Sequence, residues 1–149
     1  MEVKNIFDTS VKQEIIDRIN KLTPESQRKW GKMDMAQMLM HCRLPLEVVM
    51  GQRILKSNGI QKLIFPLFKS ILYNDKPYKT GLPTDKSYIT TGTSKDFEVE
   101  KQKLIEQLNR FSESSAIVEK HPVFGWLTKE QWSKATWKHI DHHLKQFGV

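Results

Sequence analysis

The sequence has little cysteine and no long apolar run, and both absences narrow the class of protein. Cys42 is the only cysteine among 149 residues, so no disulfide can form within the chain. No stretch reaches the roughly 18 apolar residues of a membrane-spanning helix, and the first residues lack the apolar run of a secretory signal peptide. We therefore expect a cytoplasmic protein.

Internal repeats and low-complexity tracts are also absent, and the composition is that of an ordinary globular protein. Hydrophobic residues make up 38% of the chain and charged residues 28%, a balance that folded chains have and disordered chains lack. The length suits one domain with a core of its own. The sequence therefore predicts a single domain over residues 1–149.

Positive charge is concentrated in one part of the chain. The net charge is +7, and residues 53–86 alone hold seven Lys/Arg and two acids, a net of +5. Such a segment indicates an anionic ligand, nucleic acid or an acidic surface, although a solvated lysine-rich loop explains it equally well. Lys76, Lys79 and Lys86 are the candidate contacts to an anionic thiol or substrate.

Apolar residues recur at helical spacing in four stretches, and no segment alternates as a strand does. The spacing predicts helices over about 9–22, 34–49, 94–113 and 128–147. Between the second and the third lie an additional helix and a long loop. We expect an all-α fold, a four-helix bundle with an inserted helix and a long loop between the second and third main helices.

Two helix starts carry the signature of a capping box, in which the first residue and the one three positions on cap each other. Asp34 with Gln37 marks the start of the second helix, and Thr128 with Gln131 marks the start of the last. Pro45 lies inside the second helix and deprives the carbonyl four residues back of its donor. It predicts a kink or an early helix end.

The middle of the chain is harder to interpret. Residues 60–73 are apolar with spaced lysines, and Pro66 predicts a broken or bent helix there. Residues 74–93 contain Pro83 and Gly92 among several helix breakers and predict a long loop. An apolar and basic segment such as 60–73 could dock on a membrane surface or a partner, but a core helix or a lid over the bundle is the favoured interpretation.

Three histidines are the strongest functional signal. His139 and His143 are four residues apart, so on a helix their imidazoles leave one face about one turn apart, as two ligands of one metal ion do. His142 falls on the opposite side of that helix and is expected to face solvent. His41, on the second helix, is the candidate third ligand.

Other polar residues lie near these histidines in the predicted helices. Gln37 lies one turn before His41 and is the best candidate for a contact to a ligand or to a metal-binding side chain. Asp34, Glu47 and Asp141 lie on the right helices to accept a histidine N–H, although Asp141 points away from His139. Cys42 follows the apolar stripe and is expected to be a small buried hydrophobe rather than a nucleophile.

Two motifs carry a resemblance to a known superfamily. They are WGKMDMAQMLMHC (residues 30–42) and HPVFGWLT (residues 121–128), which leads through Trp132 to HIDHHLKQFG (residues 139–148). With these motifs the chain resembles the DinB/YfiT-like superfamily of metal-dependent helical-bundle proteins, most closely a small bacterial branch of unassigned function. The similarity covers most of the chain.

The resemblance implies a fold, a cofactor and an activity. It implies a four-helix bundle in which His41, His139 and His143 bind a divalent ion, usually zinc or nickel, and often a homodimer. In better-understood relatives the metal activates a low-molecular-weight thiol for transfer to an electrophile. Residues 53–93 look like an insertion relative to those proteins.

These signals lead to two hypotheses of different classes. Three imidazoles leave open positions around a metal ion, which is typical of catalytic rather than structural sites. The first hypothesis is therefore a metal-dependent enzyme, a thiol-dependent transferase or a hydrolase acting on a small molecule. The alternative is a non-enzymatic module that binds nucleic acid or an acidic surface through residues 53–86. It lacks any recognition motif, so neither nucleic acid nor membrane is the expected partner.

Overall fold

The computed structural model describes residues 1–55, 59–82, 86–91, 95–113 and 117–149, and within them the chain is mostly helical. The α-helices are α1 (Thr9–Asn20), α2 (Met35–Val49), α3 (Gly59–Ile64), α4 (Phe97–Glu113) and α5 (Lys129–Gln146). Two 3₁₀ helices span Phe65–Leu72 and Lys86–Tyr88, and the strands are β1 (Lys120–His121) and β2 (Gly125–Trp126). The expected helical class is confirmed.

The four longer helices enclose one apolar core. Helix α2 packs against α4 and α5, and α1 packs against the same two helices. The inward positions of α2, α4 and α5 are those that the apolar spacing predicts. The residues at the centre of this core include Ile15, Ile19, Met38, Leu39, Leu46, Leu104, Leu108, Phe111, Trp137, Ile140 and Leu144.

Both predicted capping boxes are present, and they set the first residues of the two helices that carry histidines. Asp34 Oδ1 accepts the Gln37 N–H at 2.8 Å, and Gln37 Oε1 accepts the Asp34 N–H at 3.0 Å. Thr128 and Gln131 make the same pair of hydrogen bonds at the start of α5. Each pair satisfies backbone donors that have no partner inside the helix.

The sequence predicts a kink or an early helix end at Pro45, and the early end does not occur. Helix α2 continues through Pro45 to Val49. An interior proline costs about 3 kcal/mol of helix stability, but the flanking Leu44, Leu46 and Val48 are each 2% exposed or less. Burial of these side chains offsets the lost hydrogen bond, so tertiary packing decides the helix end.

A small β-hairpin precedes α5, and the sequence did not predict it. Lys120 pairs with Trp126 and His121 pairs with Gly125 in antiparallel register. In the turn between them, His121 Nδ1 accepts the N–H groups of Val123 and Phe124 at 2.9 and 3.1 Å. Strands of two residues are too short to show the alternation that identifies a strand in sequence.

The middle of the chain forms a broken helix, as Pro66 predicts. Helix α3 ends at Ile64 and a 3₁₀ helix continues from Phe65, with Pro66 in its first turn. The segment is not a core helix, because most of its large apolar side chains are exposed, but its 3₁₀ part contacts α5. Pro83 and Gly92, two breakers of the predicted loop, lie outside the described residues.

Within the part of the chain that the structure describes, no helix has both the length and the apolarity needed to cross a membrane.

The capping box of α2 has a measurable contribution to stability. We predict that Asp34→Ala lowers the free energy of unfolding by about 1 kcal/mol, because the Gln37 N–H loses its acceptor. Asp8→Ala is the matched control, since Asp8 caps α1 without a side-chain hydrogen bond. Urea unfolding followed by circular dichroism measures both. Equal losses in the two variants would contradict the assignment.

Candidate metal centre

The three histidines meet where α2 packs against α5. His41 comes from α2, and His139 and His143 come from successive turns of α5. One ligand atom from each lies within 4.8 Å of the others, and the Nε2 atoms of His41 and His139 are 3.1 Å apart. The three histidines could therefore hold a metal ion.

A backbone carbonyl orients the imidazole of His41. The Nδ1 atom lies 2.8 Å from the carbonyl oxygen of Tyr88, which can only accept. The proton of the neutral ring therefore resides on Nδ1, and the Nε2 lone pair is left for a ligand. Tyr88 ends the short 3₁₀ helix Lys86–Tyr88, so the loop between α3 and α4 contributes this contact.

A side-chain amide orients His143 in the same way. Its Nδ1 lies 2.8 Å from Oε1 of Gln146, and Nε2 of Gln146 donates to the carbonyl of Trp30 at 2.7 Å. The second bond fixes which end of the amide faces the imidazole. Gly31 adopts φ +80°, and a Cβ there would lie 2.5 Å from Gln146 Nε2, so only glycine allows this approach.

His139 completes the cluster and is its most accessible member. It is partly exposed, whereas His41 and His143 are buried. Because His41 Nε2 lacks a proton, the 3.1 Å contact is a hydrogen bond only if His139 Nε2 donates. A metal ion bound by both Nε2 atoms would require the proton of His139 to move to Nδ1.

Burial keeps the three imidazoles neutral. It lowers the pKa of His41, and it lowers the pKa of His143 to about 3, with His41 adding repulsion. The pKa of His139 falls well below its usual value through burial and the neighbouring histidines. Only neutral imidazole binds metal, so the cluster is in the binding form near pH 7 without first losing protons.

The chemistry of these groups suits a divalent ion, and their spacing comes close to that of ligands of one ion. Two nitrogens that bind one tetrahedral zinc lie about 3.3 Å apart; the Nε2 atoms of His41 and His139 are 3.1 Å apart, and the three ligand atoms lie within 4.8 Å of one another. Cys42 adds no sulfur ligand, because its Sγ is buried against Met38 Sδ and burial raises the pKa of the thiol. Three nitrogen ligands would leave at least one position open to a further ligand.

His142 does not face solvent as expected. Its ring lies between those of Trp30 and Tyr78, with centroids 5.6 and 5.7 Å away, and the residue is partly buried. The helical angle is as predicted, but segments from outside the helix cover that side of α5. Burial also lowers the pKa of His142, with Asp141 opposing the shift.

The other residues proposed as ligand contacts, Gln37 and three lysines, differ in their burial. Gln37 is buried one turn before His41, and its Oε1 belongs to the capping box. Lys76 and Lys79 are exposed on either side of Tyr78, whose ring lies against His142, and Lys86 is exposed two residues before Tyr88. Their contacts to a ligand stay predictions.

The carboxylates considered as histidine partners are engaged elsewhere. Asp34 caps α2, Glu47 pairs with Arg43, and Asp141 pairs with Arg18 at 2.9 Å and with Lys145 at 2.7 Å.

Sequence reasoning missed the two groups that orient the histidines. Gln146 was detectable in principle, because it lies three residues after His143 and therefore next to it on a helix. Tyr88 gave no signal, because it acts through its backbone carbonyl, which carries no information about residue type.

Comparison with known proteins gives one match. A family model with the description "Protein of unknown function (DUF1569)" matches residues 4–148. The matched range includes α2 and α5, which carry the three histidines. No curated protein and no solved structure matches the chain.

The lowered pKa values predict that acid destabilises the metal-free protein. A histidine in the unfolded chain binds a proton near pH 6.5, whereas these histidines bind one in the folded protein only at lower pH. Their contribution to the free energy of unfolding is therefore fully present above about pH 6.5 and is lost as the pH falls. For His143, the loss reaches about 2 kcal/mol at pH 5. Urea unfolding of chelator-treated protein at pH 7 and pH 5 measures it. His143→Leu should show a smaller loss than wild type, and an unchanged loss would contradict the burial of a neutral ring.

Proposed function

We propose that this chain, which belongs to the DUF1569 family of proteins of unknown function, is a metal-dependent enzyme acting on a small molecule. His41, His139 and His143 would bind its divalent ion. The observation that supports this most directly is the convergence of three neutral imidazoles, two of which have Nδ1 held by an acceptor.

An ordinary cluster of core histidines explains this arrangement less well. A core imidazole is satisfied when its two nitrogens find a donor and an acceptor anywhere nearby. Here three histidines from two helices bring one ring nitrogen each to within 4.8 Å of the others, although each neutral ring loses hydration there. The outer nitrogens of His41 and His143 each meet an oxygen, which is the usual arrangement around metal-binding histidines.

Zinc or nickel is the ion we propose, because both accept imidazole nitrogen readily. When bound, such an ion supplies Lewis acidity and lowers the pKa of a coordinated water or thiol. The three imidazoles would hold the ion, and the Tyr88 carbonyl and Gln146 would keep His41 and His143 in orientation. We propose that a small ligand reaches the centre on the side of His139, which is partly exposed whereas His41 and His143 are buried.

Two reactions are compatible with this set of ligands. Thiol transfer to an electrophile and hydrolysis need the same three nitrogens and one open position. A low-molecular-weight thiol is the co-substrate we propose for the first. Gln37, Lys76 and Lys79 are the proposed contacts, since the two lysines flank Tyr78 beside His142 and would attract an anionic group.

We also propose that the fold is a four-helix bundle of the DinB/YfiT type. Helices α1, α2, α4 and α5 pack on one another around the core. One candidate ligand lies on the second of these helices and two, four residues apart, lie on the last, as the resemblance implies. The segment between α2 and α4 would be the insertion.

Elemental analysis tests the metal centre. We predict one equivalent of zinc or nickel in protein purified without chelators, and its loss in the His139→Ala/His143→Ala variant. His142→Ala is the matched control and should keep the metal, because His142 neighbours His143, with ring centroids 5.1 Å apart, but is not one of the three clustered candidate ligands. Metal retained by the double variant would overturn the assignment, as would wild type that stays metal-free after reconstitution.

Activity is then tested on the same proteins. Metal-loaded wild type is screened with a small thiol and an aryl halide electrophile, and with activated esters. Turnover that the double variant lacks and the His142→Ala control retains would support an enzyme. Equal turnover in wild type and the double variant would contradict it.

The oxygen that orients His143 should influence metal affinity. We predict that Gln146→Leu weakens binding about 10- to 100-fold, because His143 Nδ1 loses its acceptor. Gln131→Leu, on the same helix but in the capping box, is the control and should leave affinity unchanged. Competition with a chromophoric chelator measures both. Equal affinities in the two variants would show that Gln146 does not position the ligand.

A further inference from the structure

Helix α3 and the 3₁₀ helix that follows it present an unusually apolar surface. Seven large side chains are between 39% and 79% exposed, and we call them the apolar face: Ile60, Leu63, Ile64, Phe65, Leu67, Phe68 and Ile71. These seven side chains lie within twelve consecutive positions of the chain, whereas exposed large apolar side chains elsewhere on a soluble protein are normally scattered singly. Such a surface is typical of an interaction site.

The β-hairpin extends this face with a tryptophan. Trp126 is 62% exposed, and its carbonyl accepts a hydrogen bond from Lys69 Nζ at 2.9 Å. The rings of Phe65 and Phe124 are 5.7 Å apart, so hairpin and 3₁₀ helix are in contact. Tryptophan with one apolar and one polar edge is enriched where membranes meet water.

Basic residues lie within and beside the apolar face. Lys69 lies within it, between Phe68 and Ile71 in the chain, and Lys120 lies beside it, with its Nζ 5.9 Å from the centre of the Trp126 ring. In the sequence, residues 59–82 contain four lysines and a single acid, Asp75. Long lysine side chains can lay their stems along apolar surface and keep the ammonium group at its edge.

This charge distribution favours an anionic lipid surface over a second copy of the chain. A two-fold contact through the apolar face would bring two sets of lysines together, and their repulsion would oppose the apolar gain. Anionic lipid headgroups attract the same lysines, each by about 1 kcal/mol near the surface.

The apolar face is firmly attached to the folded core. Lys138 of α5 is 1% exposed, and its Nζ donates to the carbonyls of Ile71 and Asn74 at 2.7 and 2.9 Å and to Asn74 Oδ1 at 2.8 Å. All three ammonium donors therefore hold the end of the 3₁₀ helix against α5. The 3₁₀ part of the apolar face is thus anchored to α5 at its carboxyl end, and it also contacts α5 and β2.

We propose that the apolar face and Trp126 dock on the surface of an anionic lipid bilayer. The side chains enter the headgroup region, and Lys69 and Lys120 contact lipid phosphates and carboxylates. The segment lies in the plane of the interface. This differs from the expectation from sequence, in which the same residues form a core helix or a lid, and it does not depend on the metal centre.

Vesicle flotation tests the proposal on the full chain. Vesicles of phosphatidylcholine containing about one third phosphatidylserine should float wild type, and vesicles of phosphatidylcholine alone should float much less, because the lysines lose their partners. Leu67→Ser/Phe68→Ser should weaken binding at least about tenfold, since both side chains lose apolar burial. Val99→Ser, an exposed apolar residue on α4, is the matched control and should bind as wild type.

A second measurement identifies the surface that touches lipid. Brominated lipids should quench tryptophan emission in wild type, and Trp126→Phe should lose most of that quenching. No flotation with anionic vesicles, or flotation unchanged by Leu67→Ser/Phe68→Ser, would overturn the proposal. A dimer that forms without lipid in wild type and in Val99→Ser but not in Leu67→Ser/Phe68→Ser would also overturn the proposal, since the apolar face would then be covered by a second copy of the chain.

Discussion

The packing of α2 against α5 is the contact on which the candidate centre depends. It brings His41 to within 3.1 Å of His139, although the two residues are 98 positions apart in the chain. No local preference of either helix creates this proximity. It follows from the apolar stripes of the two helices, which bury Met38, Leu39, Ile140 and Leu144 in one core and so fix the rotation of each helix about its axis.

That packing also creates an energetic conflict that a metal ion would resolve. Three imidazoles lose hydration at one point of a protein whose other interior groups are mostly apolar, and burial and mutual repulsion disfavour protonation there. A bound cation would turn the same crowded nitrogens into favourable ligands, so binding would add to the stability of the folded state. The hydrogen bonds that His41 and His143 donate to the Tyr88 carbonyl and to Gln146 Oε1 orient the two rings in advance.

Local chemistry could be predicted from the sequence, and long-range contacts could not. The capping boxes at Asp34 and Thr128 depend on residues three positions apart, and the shared face of His139 and His143 depends only on helical geometry. The environment of His142 depends on Trp30 and Tyr78, which come from distant loops. The course of α2 beyond Pro45 depended on burial, which outweighed a local preference.

The most direct test of the central claim is anomalous diffraction at the absorption edge of the bound metal, from crystals of protein purified without chelators. If the three histidines bind the metal, the map should show one anomalous peak about 2.0–2.1 Å from a nitrogen of His41, His139 and His143, with density for a further light ligand. A metal-reconstituted crystal with no peak there, or with its peak at His142 or His121 instead, would show that these histidines do not form the metal centre.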